Sequence, residues 1–186
     1  IVMKRLLILA IISTITIPSF AQLKIEPNNF YWQRVVEYSG SINEMHTRII
    51  ASGIFKEIQK EDSTIIIGRV ENIILNYATM YPEPRLANKP IFFRNGEKFS
   101  GTLTYELKEG RYRVTFKDLI YNSGMIIHTG IMSLDVKDEP INALLFNAEG
   151  CFRRGEKAKE FARKVFDYSF SNSFIIKNDD EMQSDN

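Results

Sequence analysis

The tract over residues 98–120 constrains this chain more than any other segment. Phe99, Gly101, Leu103, Tyr105 and Leu107 alternate with Ser100, Thr102, Thr104 and Glu106. After Lys108-Glu109-Gly110, the residues Tyr112, Val114 and Phe116 alternate with Arg111, Arg113, Thr115 and Lys117. A period of two places successive side chains on opposite faces of a strand. Two such runs joined by a turn containing Gly predict an antiparallel hairpin. One of its faces is apolar and has to be covered. The other carries hydroxyls and cations and can meet water.

The rest of the chain supplies the cover. Residues 23–29 read as a short lead-in containing Pro27. Residues 30–38 (FYWQRVVEY) are aromatic and β-branched and predict a strand. Ser39-Gly40 turns the chain, and Ser41 with Glu44 forms a capping box that opens a helix over residues 42–59. Its stripe is Ile42, Met45, Ile49, Ile50, Ile54 and Ile58. Gly53 lies inside it at a cost of about 1 kcal/mol against Ala, and reads as room for close approach to a sheet.

Residues 64–76 predict a long strand in which Gly68 marks a bulge or bend. Pro82, Pro84 and Pro90 make residues 81–90 a loop. Residues 91–94, Asn95-Gly96 and the run from Glu97 onward read as a hairpin with a type I′ turn. A turn at Asn122-Ser123-Gly124 leads to a last strand over residues 125–136. Residues 138–150 are irregular, with a short helical turn at 141–146. A second long helix runs from Gly155 to about Phe170 on Ala158, Phe161, Ala162, Val165 and Phe166. The order is β-α-β-β-β-β-α, with a short extra strand at Ile91. It predicts an α+β fold: a mostly antiparallel sheet with both helices on one face.

The ends of the chain read differently. Lys4 and Arg5 precede an apolar run over residues 6–17. Pro18 follows it, and Ser19-Phe20-Ala21 offers small residues at −3 and −1. Residues 1–21 are therefore expected to be a secretory signal peptide cleaved before Gln22, with Met3 as the natural start. A dozen apolar residues fall short of the roughly 20 that span a bilayer. No Cys follows the cleavage site, so no lipoprotein anchor is expected, and no later segment is long and apolar enough to cross a membrane. The mature chain is expected in the periplasm or beyond it. Residues 22–177 are expected to form one domain, and residues 178–186, with four acids and no base, a disordered tail.

Four segments carry a resemblance to a known family: FYWQRVVEY, SINEMHTRIIASGIF, DSTIIIGRV and GTLTYELKEGRYRVTFKDL. In pattern and order the chain resembles the domain-of-unknown-function family 4468, small secreted proteins of Gram-negative bacteria. The resemblance implies a TATA-box-binding-protein-like fold. It implies no activity, because the family's role is itself unknown, and no DNA binding, because a fold does not carry its best-known function with it.

Composition narrows the chemistry. Lys plus Arg is 24 against 23 for Asp plus Glu. The formal charge of +1 becomes −1 once Lys4 and Arg5 are removed, which excludes a generalised basic footprint for nucleic acid. One cysteine excludes an internal disulfide and a Cys-based zinc cluster. Cys151 is expected as a buried small hydrophobe. His46 and His128 are the only histidines and stand apart, so they read as structural and no metal or cofactor is expected.

Asp118, Glu106 and Asp135 fall on neighbouring predicted strands, where solvated acids are ordinary. No nucleophile elbow or phosphate loop occurs. Gly150-Cys151-Phe152-Arg153-Arg154-Gly155 reads as a connection before the second helix, with anion binding at that helix start as the lesser alternative.

The lead that survives is the open sheet face. Arg111, Arg113 and Lys117 lie on one strand and Thr102 and Thr104 on its neighbour; Arg34 and Arg69 join them if register allows. The expected function is a non-enzymatic binding domain for a protein or an anionic envelope ligand, acting through that face or a sheet edge. The alternatives are a cell-envelope hydrolase with a cleft at the sheet end, and a homo-oligomer subunit whose interface uses Phe92 and Phe93.

Overall fold

The structure, a computed structural model, describes residues 22–26, 29–80, 94, 96–123, 126–129, 132–135, 138–153 and 155–177. The elements are β1 (Gln22–Glu26), β2 (Asn29–Glu37), α1 (Ile42–Ala51), β3 (Glu57–Glu61), β4 (Ile65–Ile74), β5 (Lys98–Lys108), β6 (Arg111–Asn122), β7 (Ile126–Thr129), β8 (Met132–Asp135), β9 (Glu139–Pro140), α2 (Ile141–Leu145) and α3 (Gly155–Phe174). The main sheet has the order β1-β2-β6-β5-β4-β3, with β9 added to the end of β6. Every pairing in it is antiparallel.

The alternating tract forms the centre of this sheet. Leu107 faces Tyr112 and Lys108 faces Arg111, so β5 and β6 are joined through the two-residue turn Glu109-Gly110. Leu103, Tyr105, Val114 and Phe116 are fully buried. Rows of inward side chains cross the strands in register, such as Trp32–Phe116–Leu103–Gly68. α3 covers these rows with an aromatic ridge. Phe166 meets Phe30 and Phe99, while Phe170 and Phe174 meet both Trp32 and Phe116. The Tyr105 hydroxyl donates to the Phe174 carbonyl at 2.7 Å, and the Trp32 indole N–H donates to Asp167 Oδ1 at 2.8 Å. Met45 and Ile49 of α1 lie in the same core cluster. The α+β expectation is met, with α3 four residues longer than the sequence predicts. Ser171, Asn172 and Ser173 are indifferent helix formers, but Phe170 and Phe174 are buried one turn apart, and packing overrides propensity.

Other expectations are corrected. The first helix ends at Ala51, not near Gln59. Gly53 has φ +65°, a left-handed conformation that stops the helix, and open space surrounds the position of an added Cβ. Its role is termination and not close approach. Ile58 leaves the predicted stripe and sits 40% exposed on β3, a strand that begins inside the span predicted as helix. At Ser41 half of the capping box forms. The side chain accepts from the Glu44 N–H at 3.2 Å, but the Glu44 carboxylate takes the Tyr38 hydroxyl and Arg48 instead of reaching back.

The bulge predicted at Gly68 lies in its partner, between Ile58 and Lys60. Gly68 itself is a point of close approach: a Cβ there would lie 2.5 Å from both the Glu57 carbonyl oxygen and the Phe55 ring. The lead-in pairs as β1, and the predicted last strand is two short strands, β7 and β8, paired with each other as a separate sheet.

The expected signal peptide, the acidic tail, Phe92, Phe93 and most of the hairpin around Asn95 lie outside the described residues. Of that hairpin Arg94 and Gly96 are described, and Gly96 N–H donates to the Leu75 carbonyl at 2.8 Å. Among the described residues, no helix is long and apolar enough to cross a membrane.

Candidate functional site

Register fixes which side chains share the outer face, opposite the helices. One row reads Tyr31–Lys117–Thr102–Arg69–Glu57, the next Gln33–Thr115–Thr104–Ile67–Lys60, and the next Val35–Arg113–Glu106–Ile65. Glu37, Arg111 and Lys108 form the last row, at the hairpin end. The five residues singled out in the sequence, Arg111, Arg113, Lys117, Thr102 and Thr104, all lie on this face.

Their partners divide them. Arg113 Nη2 donates to Glu106 Oε1 at 2.8 Å and its Nε lies 2.7 Å from Oε2, so the two side chains form a close cross-strand ion pair with one hydrogen bond. This pair also occupies Glu106, one of the acids considered for two-carboxylate chemistry. Asp118 sits at a bulge with φ +55°, and the side chains of Asp135 and His128 lie outside the described residues. Arg69 joins the face as register allows and pairs with Glu71 at 3.2 Å. Arg34 does not join it. It falls in the inward row of β2 and donates to Ser171 Oγ on α3 at 2.8 Å.

Arg111, Lys108 and Lys117 are exposed and have no ion-pair partner among the described residues. Arg111 and Lys108 stand across from each other beside a shallow depression of about 200 Å³, which Val35, Glu106, Tyr112 and Arg113 complete. Lys117 lies farther along the same strand, opposite Thr102.

Two contributors escaped the sequence reading. The pattern puts Lys108 in the turn with Glu109 and Gly110, yet it is the last residue of β5. Lys24 was lost in the lead-in, yet Leu23 and Ile25 alternate with Lys24 and Glu26, which was the available signal. Its ammonium lies 5.6 Å from the centre of the Tyr31 ring. Tyr31, with Glu26 beside it, holds the Lys24 pKa above its usual value.

Elsewhere the chemistry-bearing residues have structural partners. His46 Nε2 is 3.3 Å from Glu61 Oε1. Arg153 Nε donates to the Phe146 carbonyl at 2.6 Å, and Phe146 and Phe152 form a β-bridge, so the segment before α3 is a tied connection. Cys151 in that segment is exposed, contrary to expectation, because its neighbour Phe152 takes the inward position against Phe146. Among the described residues, no group of three His, Cys, Asp or Glu side chains is placed to hold a metal ion.

A scan against protein-family models finds no match to the chain, and a search of curated proteins finds none that is similar. Among solved structures the chain is similar to a TBP-like protein from Parabacteroides distasonis. The TM-score is 0.48 and the identity 11%, over 82% of this chain and 92% of that one. At that level the likeness speaks to no ligand, partner or activity, and the fold stands on the strand pairing of this chain itself.

Proposed function

We infer that the protein is an exported, non-enzymatic binding domain that takes an anionic ligand on the outer face of its sheet. The observation that carries this reading is the pair Arg111 and Lys108. Both are exposed, set beside a depression, and without a carboxylate partner among the described residues. Lys117 extends the positive character along β6 toward Thr102, whose hydroxyl supplies a neutral donor. Cations held on a rigid strand lose less freedom on binding than cations on a loop. The ligand class is a phosphate- or carboxylate-bearing envelope molecule, or the acidic surface of a protein.

Export belongs to the same reading and is supported by the n-region, apolar run and small residues of segment 1–21. So does membership of family 4468. Its supporting segments form β2, α1, β4 and the β5–β6 hairpin, in that order.

The test is native mass spectrometry of the chain purified without denaturation from the periplasm of its host. A bound mass is expected, and it should disappear when Arg111→Glu and Lys117→Glu are combined. An adduct retained by that variant, or a bare chain in both preparations, overturns the reading.

A further inference from the structure

We propose a second binding surface on the helix side of the sheet: the outer edge of β1, which no strand among the described residues pairs, accepts an extended peptide strand with acidic side chains at alternate positions. The two edges of the main sheet are unlike. β3 is exposed throughout, carries Glu57, Lys60 and Glu61, and is broken by a bulge, the usual devices that keep an edge from pairing. β1 carries charges too, Lys24 and Glu26, but it has no bulge and is not exposed throughout. Its pairing with β2 runs unbroken from Gln22 to Glu26, Leu23 and Ile25 are buried, and no strand among the described residues pairs with its far side.

Along that edge lies a groove of about 640 Å³ between β1 and α3. Lys159, Arg163 and Lys164 line its α3 wall. With Lys24 the groove has four cations in its lining against two carboxylates, Glu26, which accepts from Asn29, and Asp167, which accepts from the buried Trp32 indole. Lys159 and Lys164 have carboxylate neighbours on α3, at 3.8 and 3.0 Å, whereas Arg163 is exposed with no ion-pair partner among the described residues.

The spacing selects the occupant. Lys159 and Arg163 are four residues apart, about 6 Å along a helix. Alternate side chains of an extended strand are separated by about 6.6 Å. A strand added to β1 therefore presents every second side chain toward α3 at nearly the interval of those cations. Main-chain bonds to the edge would hold it and carboxylates at those positions would select it. A second copy of this chain is disfavoured, since it would bring a second Lys159, Arg163 and Lys164 against the first.

The chain reports on its own groove. Trp32 is its only tryptophan, faces Leu23 in register and bonds to Asp167 in the groove wall. Three capped heptapeptides are titrated into the purified chain while Trp32 emission is followed: alternating Glu and Val, alternating Lys and Val, and the Glu–Val peptide N-methylated at alternate amides. The Glu–Val peptide is expected to bind at least tenfold more tightly than either of the others. Lys159→Glu with Arg163→Glu should weaken it at least tenfold, with the far-ultraviolet circular dichroism unchanged.

Equal binding of the N-methylated peptide refutes strand addition. Equal binding of the Lys–Val peptide refutes the charge selection. No binding of the Glu–Val peptide at 1 mM refutes both. Arg111→Glu with Lys117→Glu should leave peptide binding intact, which separates this surface from the outer face. Loss of binding in that variant would move the peptide to the outer face and overturn the proposal.

Discussion

Replacing Glu106 and Arg113 by alanine, singly and together, measures the cross-strand pair that withdraws one cation from the outer face. The magnitude follows from exposure. The two side chains are 37% and 43% exposed, so water screens much of their attraction, and pairs of this kind contribute about 0.2–1 kcal/mol. The close approach, at 2.7 and 2.8 Å, places this one at the upper end, with a coupling of about 1 kcal/mol at low ionic strength. Urea unfolding followed by Trp32 emission reads it. With a slope of about 1–3 kcal/mol per molar, the coupling moves the midpoint by roughly 0.3–1 M. In 1 M salt, where the screening length is about 3 Å, less than half should remain. A coupling under about 0.3 kcal/mol would mean the pair is not formed in solution; one of about 3 kcal/mol or more would mean a buried pair. Either result refutes the argument from exposure. A functional consequence follows too: Glu106→Ala releases Arg113 and should strengthen binding of an anion on this face, while Arg113→Ala leaves the Glu106 carboxylate unpaired beside Arg111 and Lys108 and should weaken it.

Gly68→Ala should destabilise the protein by about 2 kcal/mol, because the new Cβ would meet the Glu57 backbone oxygen, which cannot swing aside. Differential scanning calorimetry should show a melting temperature lower by roughly 4–8 °C, and an unchanged value would refute the close approach. The Asp62 carboxylate accepts from the Thr64 N–H at 2.9 Å, the Thr64 hydroxyl at 3.0 Å and the Ile65 N–H at 3.0 Å, and the bonds to Thr64 lead in holding its pKa below the usual 3.8. A depressed folded value means that the turn is fully stabilised above the ordinary Asp pKa and loses that contribution as pH falls through the folded one. A carboxyl-resolved NMR titration with its midpoint at or above 3.8 for Asp62 would contradict this.

The sheet's centre was legible in the sequence because β5 and the first half of β6 keep one parity over long runs, and burial then writes itself as alternation. The legibility stops where parity breaks. In β6 the buried side chains are Tyr112, Val114 and Phe116 before Asp118, then Leu119 and Tyr121 after it. In β4 they are Ile66 and Val70 before Asn72, then Ile73. Asp118 and Asn72 have φ +55° and +58° and lie in bulges where two residues oppose one on β5. Asn and Asp tolerate that conformation better than other side-chain-bearing residues, so their identity permits a bulge at these places without announcing one. An alternation count that runs through them puts Asp118 and Asn72 in the inward rows of Phe116 and Val70, although both are exposed.

The candidate site was legible to the extent that parity decides it, and no further. Parity placed Arg111, Arg113 and Lys117 on the outer face correctly. It does not say which of them is available, because availability depends on a partner from another strand. Glu106 lies directly opposite Arg113 in register and takes it. Arg111 lies between Lys108 on β5 and Glu37 on β2, and forms an ion pair with no carboxylate among the described residues. The same reasoning explains Arg34. Its position in the row of Trp32 and Val36 puts it inward, where an unpaired guanidinium would be costly, and Ser171 on the extended last turn of α3 supplies an acceptor. That turn was itself missed, since its helicity comes from Phe174 packing on Phe116 and not from local propensity. A cation's face is thus a local property of the chain, while its freedom to bind is a tertiary one. The cations left for a ligand on this face, Arg111, Lys108 and Lys117, are those that form no ion pair among the described residues.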